Sequence, residues 1–288
     1  MDRLSAASWA GCPVPLVGPH RINLAARDVD LGRSGVRVSR LCFGLGSSGC
    51  GTDSMQGHLA IDLVASFLEA GTRRHVTWWD TSDDYGSHPH VAEAVRRVGR
   101  EKVQITSKTH AGTARSVRDS VSRTLDELAV GYVDILLLHE VDSLSALQAR
   151  REGLQELHRL REAGWVRAVG LSTHSIDVLE ASVGDRALQV LLTNFNFAGV
   201  HMDAPIADYE RALRAAHEAG QGVALMKTLG EGVLAPQLDR ALRHNLEQEF
   251  VHGVLVGVVS QEQAEAAACI WDRVCAAPDD AEGLLRDG

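Results

Sequence analysis

Short apolar runs alternate with longer mixed stretches through most of this chain, and the alternation repeats eight times. The runs are Arg40 to Gly44, His75 to Asp80, Val103 to Lys108, Tyr132 to His139, Val166 to Leu171, Leu188 to Asn194, Gly222 to Met226 and Val251 to Val258. Apolar runs of this length, bounded by turn residues, predict buried strands. The stretches between them predict helices over about Met55 to Ala70, His90 to Val98, Ala114 to Leu128, Leu144 to Ala163, Ile176 to Val183, Ala207 to Ala219, Gln237 to Glu249 and Gln261 to Val274. Gly71 is placed to cap the first helix, Gly99 to stop the second and Gly131 to end the linker after the third. Eight strand–helix units in 288 residues predict an α/β fold of the (β/α)8 TIM-barrel type. A doubly wound sheet is the alternative, and it needs a reversal of strand order. Before the first unit, Leu31 to Ser39 has strand-like runs around Ser34-Gly35 and predicts a short N-terminal hairpin closing the barrel floor. The resulting division is an extension over 1–30, a single barrel domain over 31–274 and a polar, acidic tail over 275–288.

Four ionisable side chains favour the barrel. Asp80, Lys108 and His139 end consecutive predicted strands, and Tyr85 follows Asp80 within Asp80-Thr81-Ser82-Asp83-Asp84-Tyr85-Gly86. Barrels keep their chemistry at the C-terminal ends of their strands. A free phenol has a pKa near ~10, and a nearby ammonium lowers it. A carboxylate beside the lysine keeps that ammonium charged, and a neutral histidine hydrogen-bonds a substrate oxygen. Such a set protonates a carbonyl oxygen while a hydride arrives at its carbon. Singly, each residue has an ordinary reading as a cap, a packed ring or a surface lysine. Their joint placement at strand ends favours chemistry.

Composition narrows the class. A formal charge of −9 and a pI near 5.8, without a basic run, argue against a nucleic-acid partner. No apolar stretch approaches the length of a membrane span. The five cysteines are Cys12, Cys42, Cys50, Cys269 and Cys275, odd in number and without a Cys-x-x-Cys pair. They predict neither a disulfide framework nor a zinc knuckle, and a reducing cytoplasm is the simpler setting.

Asp80-Thr81 with Tyr85-Gly86, Ser107-Lys108 and Asp134-Ile-Leu-Leu-Leu-His139 together resemble the three catalytic motifs of the aldo-keto reductases. Leu31 to Gly35 through Phe43-Gly44 is similar to that family's hairpin and first strand, and the resemblance runs from about Leu31 to Val274. It implies NADPH or NADH bound extended across the C-terminal face, with a small aldehyde, ketone or alcohol as substrate. It also implies Tyr85 as acid/base, Asp80 and Lys108 tuning it, and His139 orienting the carbonyl. By the same resemblance Ser172 holds the carboxamide. Thr173 follows where the family often has Asn, and Asn194 substitutes for a glutamine of the sixth strand. Met226 falls where the family stacks an aromatic on the nicotinamide. Gly222 to Gly232 is similar to a cofactor segment, which brings in Lys227, Leu229, Gly230 and Gly232. Lys227 is placed either to meet the pyrophosphate or simply to face solvent. The last cofactor loop, Gly257 to Gln263, contributes Gly257, Ser260 and Gln263. No Lys or Arg lies between Gly257 and Arg273, so the grip expected on a 2′-phosphate is missing and either cofactor stays open.

Gly44-Leu45-Gly46-Ser47-Ser48-Gly49 fits G-x-G-x-x-G literally, but no acidic residue ends a second strand about 20 residues on. Gly44, Gly46 and Ser47 are therefore expected in a flexible first loop near the cofactor. His88, His90 and His110 are expected as loop histidines on the pocket rim, with no metal bound. Short loops, Thr228 to Pro236 and the segment around Trp271, predict an open, modestly apolar pocket. A catalytically silent nucleotide-binding barrel acting as a sensor or partner subunit is one rival. A metal-dependent barrel hydrolase or isomerase is another.

Overall fold

In a strand, successive side chains point to opposite faces, so a closed sheet sorts its residues into an interior set and an exterior set. A computed structural model describes residues 21–47 and 54–276. The predicted extension up to residue 20, Ser48 and Gly49 of the first loop, Cys12 and Cys50, and the tail from 277 onward lie outside the described residues.

A hairpin of β1 (Asp28–Asp30) and β2 (Arg37–Ser39) pairs antiparallel. The eight barrel strands follow: β3 (Leu41–Gly44), β4 (Trp78–Asp80), β5 (Gln104–Thr109), β6 (Val133–Leu138), β7 (Val166–Thr173), β8 (Val190–Asn194), β9 (Gly222–Met226) and β10 (Gly253–Gly257). All pair in parallel, each with its sequence neighbour, and β10 returns to β3 to close the barrel. The helices are α1 (Ile61–Thr72), α2 (His88–Val98), α3 (Ala114–Leu128), α4 (Leu144–Ala149), α5 (Arg151–Glu162), α6 (Ile176–Ser182), α7 (Ile206–Glu218), α8 (Leu238–Leu246) and α9 (Gln261–Cys275). Among the described residues, no helix is long and apolar enough to cross a membrane. Cys42, Cys269 and Cys275 are free thiols.

The two cores follow from the alternation. Cys42, Trp78, Ile135, Leu137, Ala168 and Leu192 fill the barrel and pack with Leu31, Val36 and Val38 of the hairpin, which plugs the floor. Their neighbours in sequence, among them Phe43, Trp79, Ile105, Leu136 and Leu191, face the helices in a second cluster. Each fully buried Leu, Val or Phe contributes about 1.5–3 kcal/mol. Of the Trp78-Trp79 pair only Trp78 points inward, where its indole N–H donates to Thr106 Oγ1 at 2.8 Å. Below the sheet's midline, buried Asp134 accepts from Arg100 at 2.6 Å, Arg167 at 2.9 Å and the Ile105 N–H at 2.9 Å, tying β5, β6 and β7 together.

Two local expectations change. Gly71 lies inside α1, not after it, because its bare Cα makes room for the Phe43 ring, 2.5 Å from where a Cβ would stand. The left-handed residue ending α3 is Ala129, two positions before Gly131. The single helix expected from Leu144 to Ala163 breaks at Arg150, whose guanidinium turns to the backbone carbonyl of His139. Helix starts are better marked. Thr113 and Ser116 form a reciprocal cap on α3, and Ser143 and Ser260 cap α4 and α9.

Gly253 lies flat against Trp78: a Cβ there would sit 2.1 Å from the ring. Gly253→Ala is expected to cost about 1–3 kcal/mol through overpacking, read as a lowered urea midpoint. An unchanged midpoint would mean that Trp78 gives way freely.

Candidate active site

The interior register that buries Trp78, Thr106 and Leu137 brings the next inward position of each strand to the C-terminal rim. Those positions are Asp80, Lys108 and His139, in β4, in β5 and just after β6. Tyr85 reaches the same place from the turn after β4, where its N–H donates to the Ser82 carbonyl and Gly86 takes a positive φ of 69°. The backbone of Gly46 packs against the Tyr85 ring so closely that a Cβ would stand 2.2 Å away. Gly46, expected in a flexible first loop near the cofactor, thus backs the phenol.

Lys108 is 1% exposed. Its ammonium donates to Asp80 Oδ1 at 2.5 Å and to the Thr81 carbonyl at 2.8 Å, and lies 3.5 Å from the Tyr85 oxygen. Burial pulls the lysine's pKa down, but attraction to Asp80 and Tyr85 prevails and leaves it raised, so the ammonium is permanent at neutral pH. The Tyr85 oxygen lies 3.2 Å from His139 Nε2, and His139 Nδ1 lies 3.1 Å from Ser82 Oγ. Burial, followed by the nearby positive charge of Lys108, drives the His139 pKa far below its ordinary value, so the imidazole is neutral.

Tyr85 departs from expectation. Lys108 does pull the phenol's pKa down, but burial outweighs it and Asp80 and Asp84 add to the rise, leaving it pushed up to about 12. The group stays a protonated donor across the neutral range.

The cofactor positions divide into those with spare capacity and those already committed. Ser172 is buried, and its Oγ accepts the Glu140 N–H at 3.0 Å, which leaves the hydroxyl hydrogen to donate. Asp80 Oδ2 is buried without a partner. Both suit a polar ligand lying across the strand ends. Thr173 is bound to Asp142 at 3.3 Å, and the Asn194 amide donates to the His201 carbonyl. Lys227 is paired with Glu231, so a pyrophosphate would compete with that carboxylate. Met226 is part-buried at the end of β9, followed by Leu229 and by Gly230 and Gly232, both at positive φ. Ser260 caps α9 through the Gln263 N–H, and Gln263 accepts from the Val259 N–H at 3.0 Å. At the barrel seam, Gly257 leaves room for Ser47 Oγ, 2.1 Å from where a Cβ would stand, and Gly44 ends β3 beside it.

Other residues were not singled out from the sequence. Gln56 is wholly buried and donates to Ser47 Oγ at 2.8 Å and to the Val258 carbonyl at 2.9 Å, joining the first loop to the last. No periodicity marks it. Ser82 and Asp84 lie within the motif stretch but show their contacts to His139 only in three dimensions. His88 and His90 are not rim loop residues. They lie in the first turn of α2, buried, with His88 between Glu127 at 2.6 Å and Ser107 at 3.1 Å, and His90 on the Leu59 carbonyl. Only His110 stays at the rim, 3.1 Å from Asp84. Trp271 is buried beneath Arg27, away from the site. Asp84 and His110 make the side of the site next to His139 polar.

A family model described as the aldo/keto reductase family matches residues 40–245. The chain belongs to the aldo/keto reductase family. L-galactose dehydrogenase of Arabidopsis thaliana is 27% identical over 282 residues, covering 82% of this chain and 85% of that protein. A probable aldo-keto reductase of Glycine max is 31% identical over 166 residues, covering 52% of this chain and 46% of that protein. This chain thus aligns with about half the length of the soybean relative. Among solved structures, the holo form of an aldo-keto reductase from Bacillus halodurans superposes with a TM-score of 0.69 at 17% identity, covering 88% of this chain and 92% of that one. That likeness is one of fold, and it agrees with the barrel and hairpin derived above.

Removing the Lys108 ammonium leaves the Asp80 carboxylate buried and unpaired. Lys108→Met is expected to destabilise the fold by about 3–5 kcal/mol, and Asp80→Asn in the same chain to restore part of the loss. Urea unfolding of the single and double variants checks this. Additive losses would mean that the two groups do not depend on each other.

Proposed function

We propose that this chain is an NAD(P)H-dependent oxidoreductase that interconverts an aldehyde or ketone and the corresponding alcohol, with Tyr85 as general acid/base. The observation that carries this reading is the buried Lys108–Asp80 pair aimed at the Tyr85 phenol, with neutral His139 on the phenol's other side. Membership of the aldo/keto reductase family supports it. A bound nicotinamide would exchange the hydride with the substrate carbon. The chain's own residues handle the oxygen. His139 Nδ1 faces Ser82 Oγ at 3.1 Å and Nε2 faces the Tyr85 oxygen at 3.2 Å, and in the tautomer with its proton on Nε2 the ring would hold the carbonyl oxygen near Tyr85. The phenol gives its proton to that oxygen as negative charge develops there, and Lys108 stabilises the phenolate left behind. Ser172 offers its spare hydroxyl to the carboxamide. Asn194 and Lys227 would have to exchange present partners to serve the cofactor. Around the last loop, Glu262 and Glu265 accompany the lack of a basic residue, which favours a nucleotide without a 2′-phosphate.

Titration with NADH and, separately, NADPH, followed through tryptophan fluorescence, is the direct test. Trp78 lies inside the barrel beneath the site and serves as one reporter. Saturable binding is expected, tighter for NADH. Absence of binding by either nucleotide, reduced or oxidised, would overturn the proposal. Tyr85→Phe is expected to keep nucleotide binding while losing about 10²–10⁴ in turnover of a simple aldehyde. Binding without turnover in the wild type would instead point to a silent nucleotide-binding barrel.

The raised phenol pKa sets the sign of the pH dependence. Reduction needs the protonated phenol, so its rate should hold through the neutral range. Oxidation of an alcohol needs the phenolate, and with a pKa of about 12 its kcat/KM should rise about tenfold per unit between roughly pH 7 and 9. A flat oxidation profile would remove Tyr85 from the base role.

A further inference from the structure

We propose that Asp84, His110 and His139 form a binding site for a divalent transition-metal ion of the zinc class at the mouth of the catalytic centre. The three residues come from three different places, the turn after β4, the loop after β5 and the end of β6. One ligand atom of each lies within 4.8 Å of the others. Asp84 Oδ2 is 3.1 Å from His110 Nε2, and Asp84 Oδ1 is 3.6 Å from His139 Nδ1. Zinc bonds of about 2.0–2.2 Å in a tetrahedron place neighbouring ligand atoms roughly 3.3–3.6 Å apart. The two carboxylate–imidazole separations lie near that spacing and the three ligand atoms lie within 4.8 Å of one another, so a metal would draw the three groups together. Asp84 Oδ1 is buried and accepts no hydrogen bond.

Charge allows the ion. The Lys108 ammonium is already matched by Asp80, which leaves the Asp84 carboxylate as the anion facing the two imidazoles. Two imidazoles and one carboxylate suit zinc, copper or nickel, whereas magnesium and calcium prefer all-oxygen sites. The fourth position would be left to water. Of His88, His90 and His110, only His110 belongs to this set, because His88 and His90 are buried elsewhere.

The ion would draw His139 Nδ1 from Ser82 and occupy the approach to the phenol. Bound metal is therefore expected to inhibit carbonyl turnover reversibly. This consequence rests on the oxidoreductase reading, whereas the binding does not.

The test is calorimetric titration of the chelator-treated full chain with zinc chloride, run beside His110→Gln and Asp84→Asn. His110 is 39% exposed, so its replacement should leave the fold intact, and a thermal melt of each variant checks that. The wild type should bind one equivalent with micromolar affinity, and each variant should lose at least about tenfold. Zinc should inhibit reduction of a simple aldehyde over the same concentration range, with activity restored by EDTA. No saturable binding by the wild type, or unchanged affinity in folded His110→Gln, overturns the site. Zinc binding with the expected variant pattern in a chain that turns over no carbonyl supports the site and overturns the oxidoreductase reading instead.

Discussion

A lysine ammonium inside a protein is costly unless something else is buried with it. Here the partner is Asp80, and the pair forms because β4 and β5 are adjacent, parallel and in inward register. The pairing fixes much around it. It holds the ammonium against the Thr81 carbonyl and the Tyr85 ring, and helps keep His139 neutral by placing a positive charge nearby. The site is thus an electrostatic arrangement first and a pocket second. Its low dielectric raises the Tyr85 pKa more than Lys108 lowers it.

The barrel was legible in the sequence because its signal is repeated. Eight apolar runs separated by helices leave few topologies, and inward-facing positions end in Asp80, Lys108 and His139. Period-two alternation admits only one of Trp78 and Trp79 to the interior. Local punctuation was less reliable. Gly71 looked like a helix end, yet it answers to the Phe43 ring, and Ala129 adopts a left-handed turn that favours glycine. Tertiary contacts override propensity at such places.

Contacts made by single polar side chains across long sequence separations were illegible. Gln56, Arg150 and Asp84 have no periodic pattern, and their partners lie on other strands or loops. The direction of the Tyr85 shift was hidden for a related reason. A sequence displays the neighbouring charge but not the depth of burial, and here burial outweighs charge. Likewise, His88-Pro89-His90 read as a loop although proline is at home in the first turn of a helix.

The barrel closes where its first and last strands meet, and that seam has a temporal side. β3 pairs with β10, Arg40 donates to the Leu246 carbonyl, Gln56 reaches Val258, and the Ile22 N–H donates to Glu249. These partners are about two hundred residues apart, so the entropy of closing so large a loop must be met before any of them contributes. On a ribosome, β3 to β8 can associate as each emerges, while the far edge of β3 and the hairpin wait for the C-terminal quarter of the chain. Until then the apolar floor beneath Trp78 and an unpaired edge of β3 stay open to water, which makes the late nascent chain the stage most exposed to aggregation.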